Sequence, residues 1–584
     1  MRVQESWFGP RDASLLGLWH IPAGDVARGA VVLCPPLGKE TVHAYRMMVL
    51  AAQQLCAQGV AALRFDYSGC GDSTGSQLAP DAVSRWQRDI SIAVDYARSI
   101  GAREVALLGL RAGALLAATV AAQCGPLTAV ALWDPVSSGR AYVREQQVLY
   151  RMKVGTGEED GTDSGFGADA AAVSLLGSAM HPEAVMALKT LSLKSLSLNP
   201  LLIAARPERA GDPVLTALAS RTGATTLAVA GHEQVFDVAT FEIDLPAVST
   251  AAVAAWLAER FSTESCAVEV PARRTAVVGS DETGHPVMER LVRLGPERLF
   301  GVLTERGHGL DDLGRPAPLA IALPSSNEYR VGTGRIWVEL ARRLGSGGVS
   351  CVRFDRRGTG ESGAVRSAER TPAYSAAAHE DLDAVIVALG RSPQRTALVG
   401  HCSGAWLAGE AASAGLARSV VLLGATRFAV GRQTEDWTPL DDPDRASVAL
   451  NTRTGWAKAA IKRLLPGPTW RWMGRRGMAN VPELLMRRLS AAGVVTTLVL
   501  APVDHRHFVA NRGRRAVERL RRGGWSVDVH TGRDGDHSLV HWGMRTASIN
   551  YAVSAVLRDL LAPDNRPHPE SIERGSQGPQ ARLQ

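Results

Sequence analysis

The sequence predicts two tandem α/β domains, each with a mostly parallel sheet flanked by helices and interrupted by a cap insertion. Two observations support this prediction: apolar runs alternate with amphipathic runs, and the whole pattern occurs twice along the 584 residues. Apolar runs such as 29–33 and 60–65 are typical of strands covered on both faces, and the run 47–57 is typical of a crossover helix. A chain of 584 residues also exceeds a single hydrophobic core, so more than one domain is expected.

The duplication sets the predicted order of the elements. Three pairs of segments match in the same order along the chain: 15–19 with 299–303, 64–73 with 353–362, and 109–114 with 400–405. The spacing between the copies drifts by only a few residues, which is typical of homologous halves that differ in their loops.

Four parts of the chain follow from the repeat. They are a first domain 1–261, a linker 262–286 with one strand-like piece, a second domain 287–562, and a polar, proline-rich tail 563–584 that is predicted to be disordered.

Each domain carries a predicted cap between its core segments. The first cap covers 137–213 and includes a disorder-prone stretch, 155–167. The second cap covers 427–490. Short turns that follow the strands, rather than the caps, are where ligands bind in such sheets.

A Gly-x-Cys-x-Gly turn marks the centre of the second half. An apolar run, 396–399, leads into Gly400, Cys402 and Gly404, and a helix-compatible run follows. A nucleophile on a tight strand-to-helix turn needs very small residues two positions before and after it, which the two glycines supply. The helix N-terminus that follows also stabilises a thiolate. The spacing therefore predicts a nucleophile elbow with cysteine in place of serine.

The surrounding motifs resemble those of the α/β-hydrolases. Arg-Phe-Asp-x-x-Gly-x-Gly-Asp/Glu-Ser follows a strand in each half, and the elbow comes about forty residues later. The first half is similar to the exosortase A system-associated hydrolases of bacteria at 34–40 and 109–117, and the second half resembles the same group at 329–332 and 353–362. The resemblance implies two α/β-hydrolase-like domains and the chain order nucleophile, acid, histidine.

Asp504 and His537 complete this order in the second half. Asp504 ends a strand-like run, and His537 lies in a loop before a helix predicted over 547–561. The histidine is expected to act as the base for Cys402, and the carboxylate is expected to orient the histidine.

Three other histidines compete for these roles. His541 lies close to His537 along the chain, and His505 and His507 follow Asp504. The pair His505 and His507 could also be metal ligands, although no third ligand has a suitable spacing.

The oxyanion hole is predicted from two backbone N–H groups. One belongs to Ser403, directly after the nucleophile, and the other belongs to the loop after the first core strand, at Ser325 or Ser326. These serines matter for compact backbone turns more than for their hydroxyl groups.

The first half lacks the same set of groups. Arg111 stands at the nucleophile position, and a guanidinium remains protonated. Glu233 is predicted at the acid position, His232 beside it is a poor substitute for the base, and the late loop 241–246 has no histidine. This half is therefore predicted to be catalytically silent. It is either a scaffold alone, or a site where Arg111 binds an anion or a partner's carboxylate.

The predicted function is that of a cysteine-dependent enzyme that hydrolyses or transfers an acyl group from an ester, thioester or amide. Two alternatives from other classes stay open. Cys402 and His537 could be the acid–base pair of a cofactor-independent peptide epimerase. The chain could instead be a binding protein without catalysis.

Composition indicates the cellular compartment and limits the classes of partner. The net charge of +7 is spread too thinly to indicate nucleic acid, and seven dispersed cysteines without a C-x-x-C pair indicate reduced thiols in the cytoplasm. No signal sequence or transmembrane run is apparent. We expect a small-molecule or peptide substrate, no metal and no cofactor. A basic, tryptophan-rich stretch, 452–489, leaves open a protein partner or peripheral attachment to a membrane surface.

Overall fold

The computed structural model describes most of the chain. The described residues are 1–154, 172–194, 196, 198–231, 235–236, 242–311, 313–325, 328–365, 368–370, 374–428 and 465–562. The sequence-based predictions that lie outside these residues concern the stretch 155–167, His232 and Glu233, Ser326, the part 429–464 of the second cap, and the tail 563–584. Part of the basic stretch, 452–464, also lies outside them.

The first half contains thirteen strands and seven helices within the described residues. The strands are β1 (Arg2–Phe8), β2 (Leu15–Ile21), β3 (Val26–Ala27), β4 (Ala30–Cys34), β5 (Ala61–Phe65), β6 (Val105–Leu110), β7 (Val130–Trp133), β8 (Val173–Leu175), β9 (Ser178–Met180), β10 (Leu201–Ala205), β11 (Thr225–Ala228), β12 (Glu242–Asp244) and β13 (Cys266–Ala267). The helices are α1 (Lys39–Ala57), α2 (Ala82–Ser99), α3 (Ala112–Val120), α4 (Gly139–Val154), α5 (Pro182–Thr190), α6 (Pro213–Thr222) and α7 (Ala247–Ala258).

The second half contains ten strands and eight helices within its described residues. The strands are β14 (Thr275–Ser280), β15 (Pro286–Leu294), β16 (Leu299–Arg306), β17 (Leu319–Leu323), β18 (Ser350–Phe354), β19 (Ala368–Arg370), β20 (Thr396–His401), β21 (Ser419–Leu423), β22 (Val495–Leu500) and β23 (Val527–Thr531). The helices are α8 (Ile336–Ser346), α9 (Ala376–Leu389), α10 (Ser403–Ser413), α11 (Gly467–Arg475), α12 (Pro482–Ala491), α13 (Pro502–Ala510), α14 (Gly513–Arg522) and α15 (Trp542–Leu561).

Both central sheets have the same strand order. The first runs β1-β2-β5-β4-β6-β7-β10-β11, and the second runs β14-β15-β16-β18-β17-β20-β21-β22-β23. An antiparallel start is followed in both by parallel strands, from β5 onward and from β18 onward. Apolar side chains fill both faces of each sheet, and helices cover them. The predicted fold class of two tandem, mostly parallel α/β domains is confirmed.

The predicted boundaries need two corrections. The segment 262–286 is not a free linker, because β13 pairs with β3 of the first half and β14 pairs with β15 at the edge of the second sheet. The first cap is shorter than 137–213, because β10 is a central strand that pairs with β7 and β11. Short apolar strands next to a polar insertion are hard to separate from it by periodicity alone.

The two halves contact each other through buried ion pairs that are reciprocal. Arg64 Nη2 lies 2.6 Å from Glu361 Oε1. Arg353, the equivalent of Arg64 in the repeat, pairs with Asp72, the equivalent of Glu361. The same residue positions therefore contact one another in both directions, as in an isologous dimer interface.

Two further arginines each cap a glycine-rich turn of the opposite half. Arg335 donates to the carbonyl oxygens of Gly71 at 2.9 Å and Ser73 at 2.8 Å. Arg46, its equivalent in the first half, donates to the carbonyl oxygen of Ala364 at 2.7 Å. Both arginines are buried. Breaking these contacts would leave buried cations without acceptors, so the two halves are expected to fold as one unit.

Across the described part of the chain, no helix is long and apolar enough to cross a bilayer.

Candidate active site

Cys402 lies on a strained turn between β20 and α10. Its backbone has φ 52° and ψ −113°, a left-handed conformation that is rare for residues other than glycine. A Cβ on Gly400 would lie 2.1 Å from the Gly404 carbonyl oxygen, and a Cβ on Gly404 would lie 2.0 Å from the Leu323 carbonyl oxygen. Both glycines are therefore required for the turn to sit against the end of β17.

Asp504 and His537 meet at the end of the parallel strands. Asp504 lies in the first turn of α13, directly after β22, and its side chain is fully buried. Its Oδ1 is 2.8 Å from His537 Nδ1. Asp504 Oδ2 accepts a hydrogen bond from the Ala501 backbone N–H at 3.3 Å. The carboxylate is thus fixed on one side by the backbone and orients the imidazole on the other.

The Cys402 side chain interacts with His537 and contributes to the shift of the His537 pKa. Burial alone would lower the pKa of His537, but Asp504 and Cys402 outweigh it and raise this pKa well above its usual value. A raised pKa favours the imidazolium, which the Asp504 carboxylate stabilises. Asp504 and His537 are therefore hydrogen-bonded to each other, and Cys402 interacts with His537.

His401 is a site residue that the sequence interpretation missed. Its Nε2 donates to the His537 carbonyl oxygen at 2.8 Å. Burial, followed by the charge of His537, lowers the pKa of His401 to about 4, so the ring is neutral at physiological pH. His401 therefore fixes the backbone of the His537 loop. A polar residue directly before the nucleophile is the signal that could have identified it.

Two of the three competing histidines, His541 and His507, have structural roles. His541 caps α15, because its Nδ1 accepts from the Met544 backbone N–H at 3.1 Å. The His507 Nε2 contacts the amides of Asn480 at 3.1 Å and Asn511 at 3.2 Å. Among the described residues, no group of three histidine, cysteine or carboxylate side chains could hold a metal ion.

The two predicted oxyanion positions directly follow two adjacent strands. Ser403 is the first residue of α10, and Ser325 follows β17, which pairs with β20. The Ser325 carbonyl oxygen accepts from the Glu328 backbone N–H at 2.9 Å, which closes the loop into a turn. The backbone around Ser325 thus faces the same edge of the sheet as Cys402.

The first half holds the far end of this loop. Arg330 places one Nη 2.8 Å from Asp355 and the other 2.7 Å from Asp72 of the first half. Tyr329 stacks on Tyr45 of the first half, with ring centroids 4.1 Å apart. The loop that carries Ser325 is therefore anchored by the opposite half.

The equivalent position in the first half holds a buried charge cluster. Arg111 contacts Glu145 at 2.7 Å, Glu40 at 3.1 Å and Asp134 at 3.3 Å. Burial alone would lower the pKa of Arg111, but these carboxylates raise it. The guanidinium is thus already paired within the chain, which argues against the predicted capture of an external anion.

The assignment of Glu233 to the acid position is wrong. In the first half the Asp134 backbone N–H donates to the Ala204 carbonyl oxygen, and in the second half the Gly424 backbone N–H donates to the Val499 carbonyl oxygen. These equivalent hydrogen bonds align β10 with β22. Counting onward from these strands places Arg209 where Asp504 stands. Glu233 instead follows β11, in the region that corresponds to the His537 loop, and lies outside the described residues. The error follows from assigning β10 to the cap.

Comparison with known families agrees with this geometry. A model described as alpha/beta hydrolase family matches residues 329–546, and a model described as serine aminopeptidase, S33, matches residues 25–155. The chain contains two regions of α/β-hydrolase fold. The finer resemblance to the exosortase-associated hydrolases is untested by these matches and stays a prediction. Among curated proteins, no match was found.

Several solved structures are similar to one half of the chain. Est1E from Butyrivibrio proteoclasticus, with bound ferulic acid, is 17% identical over 44% of this chain and 98% of its own, with a TM-score of 0.32. The esterase domain of a Rhodothermus marinus protein is 15% identical over 44% and 95%, with a TM-score of 0.30. The bottromycin epimerase BotH, in complex with bottromycin A2, is 17% identical over 44% and 98%, with a TM-score of 0.27.

Proposed function

We propose that the second half is a cysteine-dependent hydrolase or acyltransferase. In this proposal Cys402 attacks an acyl carbon, His537 moves the proton, and Asp504 orients His537. The observation that carries the proposal is that His537, hydrogen-bonded to Asp504, interacts with Cys402 at the tip of a strand-to-helix turn. The substrate is an ester, thioester or amide.

The first stage forms an acyl-enzyme. Cys402 Sγ, with its proton held by His537, bonds to the acyl carbon while the carbonyl electron pair moves to oxygen. The Ser403 backbone N–H and the loop at Ser325 stabilise the oxyanion. When the carbonyl re-forms, the bond to the leaving group breaks, and the leaving group takes the proton from His537.

The second stage releases the acyl group from Cys402. Water, an amine or a thiol gives a proton to His537 and attacks the thioester carbon, and Cys402 leaves as the thiolate. Hydrolysis and transfer share this intermediate, so the acceptor that reaches the site decides between them. His401 contributes by holding the His537 carbonyl, which keeps the imidazole between sulfur and carboxylate.

The first half is proposed to be catalytically silent and to act as a support. Its own nucleophile position holds an arginine that is already ion-paired, and its residues Asp72 and Tyr45 hold the far end of the loop that carries Ser325. A loop that supplies an oxyanion donor must be placed within a few tenths of an ångström, so this anchoring supports the chemistry of the other half.

The proposal is tested by two substitutions of Cys402 assayed on a panel of esters and thioesters. Cys402→Ala is expected to abolish turnover. Cys402→Ser is expected to retain measurable acyl chemistry, since a histidine can activate a hydroxyl group. Full activity of Cys402→Ala with unchanged folding would overturn the proposal.

Heavy water separates the epimerase alternative from acyl chemistry. Deuterium incorporation into a peptide substrate without bond cleavage, lost in both Cys402 variants, would favour the epimerase. Ligand binding that is insensitive to iodoacetamide, with no turnover on any substrate, would favour a binding protein.

A further inference from the structure

Positive charge is concentrated in one part of the second half. Residues 465–525 contain twelve arginines and three carboxylate residues, so this segment alone exceeds the net charge of +7 of the whole chain. Most of these arginines lie on α11, α12 and α14. We call the exposed side of these three helices the basic face; its exposed arginines are Arg475, Arg476, Arg487, Arg488, Arg514, Arg515, Arg519, Arg521 and Arg522.

One buried carboxylate joins the three helices into a single unit. Glu483 of α12 contacts Arg471 of α11 at 3.4 Å, Arg487 of α12 at 2.9 Å and Arg519 of α14 at 2.5 Å. Its side chain is 5% exposed. Glu483 can neutralise only one of these arginines, so the basic face keeps a large excess of positive charge in the folded protein.

Large apolar side chains are exposed among these arginines. Trp472 is 51% exposed, Met478 is 53% exposed and Trp525 is 44% exposed. The Arg476 guanidinium lies 5.6 Å from the Trp472 ring centroid, so cation and ring occupy one patch. Arginine, tryptophan and methionine together are suited to the headgroup region of a bilayer, where phosphates meet the ends of acyl chains.

We propose that the basic face binds the surface of a membrane that contains anionic phospholipids. Its arginines neutralise lipid phosphates, while Trp472, Met478 and Trp525 enter the boundary between headgroups and acyl chains. Nucleic acid would also attract the arginines, but it would gain little from an exposed methionine, and this favours lipid. The inference rests on charge and exposure and is independent of the chemistry proposed for Cys402.

The basic face is connected to the candidate active site by direct packing. A Cβ on Gly409 of α10 would lie 3.0 Å from Leu485 of α12, so these two helices are in close contact. Arg488 of α12 also lies 3.9 Å from Glu410 of α10. Docking of this face would therefore place the helix that begins after Cys402 one helix layer from the bilayer.

Vesicle co-sedimentation of the full-length protein tests the proposal. We expect binding to vesicles of phosphatidylcholine mixed with phosphatidylglycerol, weakening as salt is raised, and little binding to phosphatidylcholine alone. The triple variant Arg475→Gln, Arg515→Gln, Arg522→Gln is expected to bind roughly 100-fold more weakly, because each arginine near an anionic surface contributes about a fivefold change.

A matched control removes the same charge elsewhere. The variant Arg11→Gln, Arg85→Gln, Arg88→Gln changes three exposed arginines of the first half and is expected to bind vesicles like the parent protein. Trp472→Ala, which leaves the charge intact, is expected to weaken binding by about tenfold. Thermal unfolding of each variant verifies that the fold is retained.

Three results would overturn the proposal. They are absence of binding to phosphatidylglycerol vesicles, equal loss of binding in the two triple variants, and stronger binding to a DNA or RNA oligonucleotide than to vesicles at the same phosphate concentration.

Discussion

The two halves present the same backbone turn with opposite chemistry. Arg111 has φ 54° and ψ −118°, and Cys402 has φ 52° and ψ −113°. Each backbone N–H donates to the end of the neighbouring strand, at Trp133 and Leu423, and both distances are 3.0 Å. The conformation of an elbow is therefore independent of the residue at its tip, and the surrounding side chains decide whether it can do chemistry.

The surrounding side chains are inverted in charge between the halves. In the second half, a carboxylate at Asp504 faces a small residue, Gly424, whose Cβ would lie 3.3 Å from Asp504 Oδ2. In the first half, Asp134 takes the position of Gly424, and Arg209 takes the position of Asp504, 3.5 Å away. The first-half pocket is thus filled with ion pairs. The difference shows that two copies of a fold can keep the same turn and the same interface while the charged groups around the turn differ.

Among the variants that compare the two halves, the largest effect on turnover is expected from Asp504→Asn. The change keeps shape but removes the charge that holds the imidazolium, and a fall of about 10²- to 10⁴-fold in kcat is expected. Steady-state kinetics with the ester and thioester panel measures this fall. The same substitution at a buried carboxylate of the other half, Asp134→Asn, should leave kcat per folded molecule unchanged. An equal loss in both variants would contradict the assignment of chemistry to the second half.

A smaller effect is expected when the loop that carries Ser325 loses its anchor. Arg335→Gln removes several hydrogen bonds to first-half carbonyl groups, and kcat should fall about tenfold, equivalent to about 1.4 kcal/mol. Arg46→Gln removes the equivalent contacts in the opposite direction, and these hold a turn that lies outside the Ser325 loop. Both variants should lose similar stability in urea unfolding, but only Arg335→Gln should lose kcat. Equal kinetics in the two variants would argue against support of the site by the first half.

A pH dependence of stability is expected from His537. The pKa of His537 is raised in the folded state, so its contribution is fully present below pH ~6.5 and is lost as the pH rises through the raised value. Urea unfolding of the parent protein should therefore show a decline with rising pH that His537→Gln lacks. His308→Gln, on an exposed turn, serves as the control and should keep the decline.

The smallest effect on turnover is expected from Arg111→Met. Removing the guanidinium leaves Glu40 buried without its ion-pair partner, and the free energy of unfolding should fall by about 3–5 kcal/mol. Turnover per folded molecule should stay unchanged, because Arg111 belongs to the half that is proposed to be silent. A loss of kcat with intact folding would show that the first half takes part in the chemistry.

Local patterns in the sequence were sufficient for much of the fold and the site. The repeat predicted two α/β domains. The Gly-x-Cys-x-Gly turn predicted the position of Cys402, because only very small residues fit on either side of a nucleophile elbow. Asp504 and His537 followed from chain order, and the structure places them 2.8 Å apart.

Features that depend on distant segments were not predictable in this way. The role of His401 required the position of a carbonyl more than a hundred residues away. The acid position of the first half was misassigned because β10 adjoins a polar insertion. Predicting the contacts of Arg46 and Arg335 would have required knowing how the two halves pack together. The repeat alone showed only that the two arginines occupy equivalent positions.

The most direct measurement of the central claim is mass spectrometry of the intact protein after incubation with acyl esters and thioesters. If only the second half is catalytic, a single acyl group should be found and peptide analysis should map it to Cys402. The acyl group should be absent in Cys402→Ala and retained in Arg111→Met. Burial raises the pKa of Cys56, Cys70 and Cys351 to about 12, so these thiols should stay unmodified. An acyl group on the first half, or release of the leaving group in the first turnover without an acyl adduct on Cys402, would contradict the account.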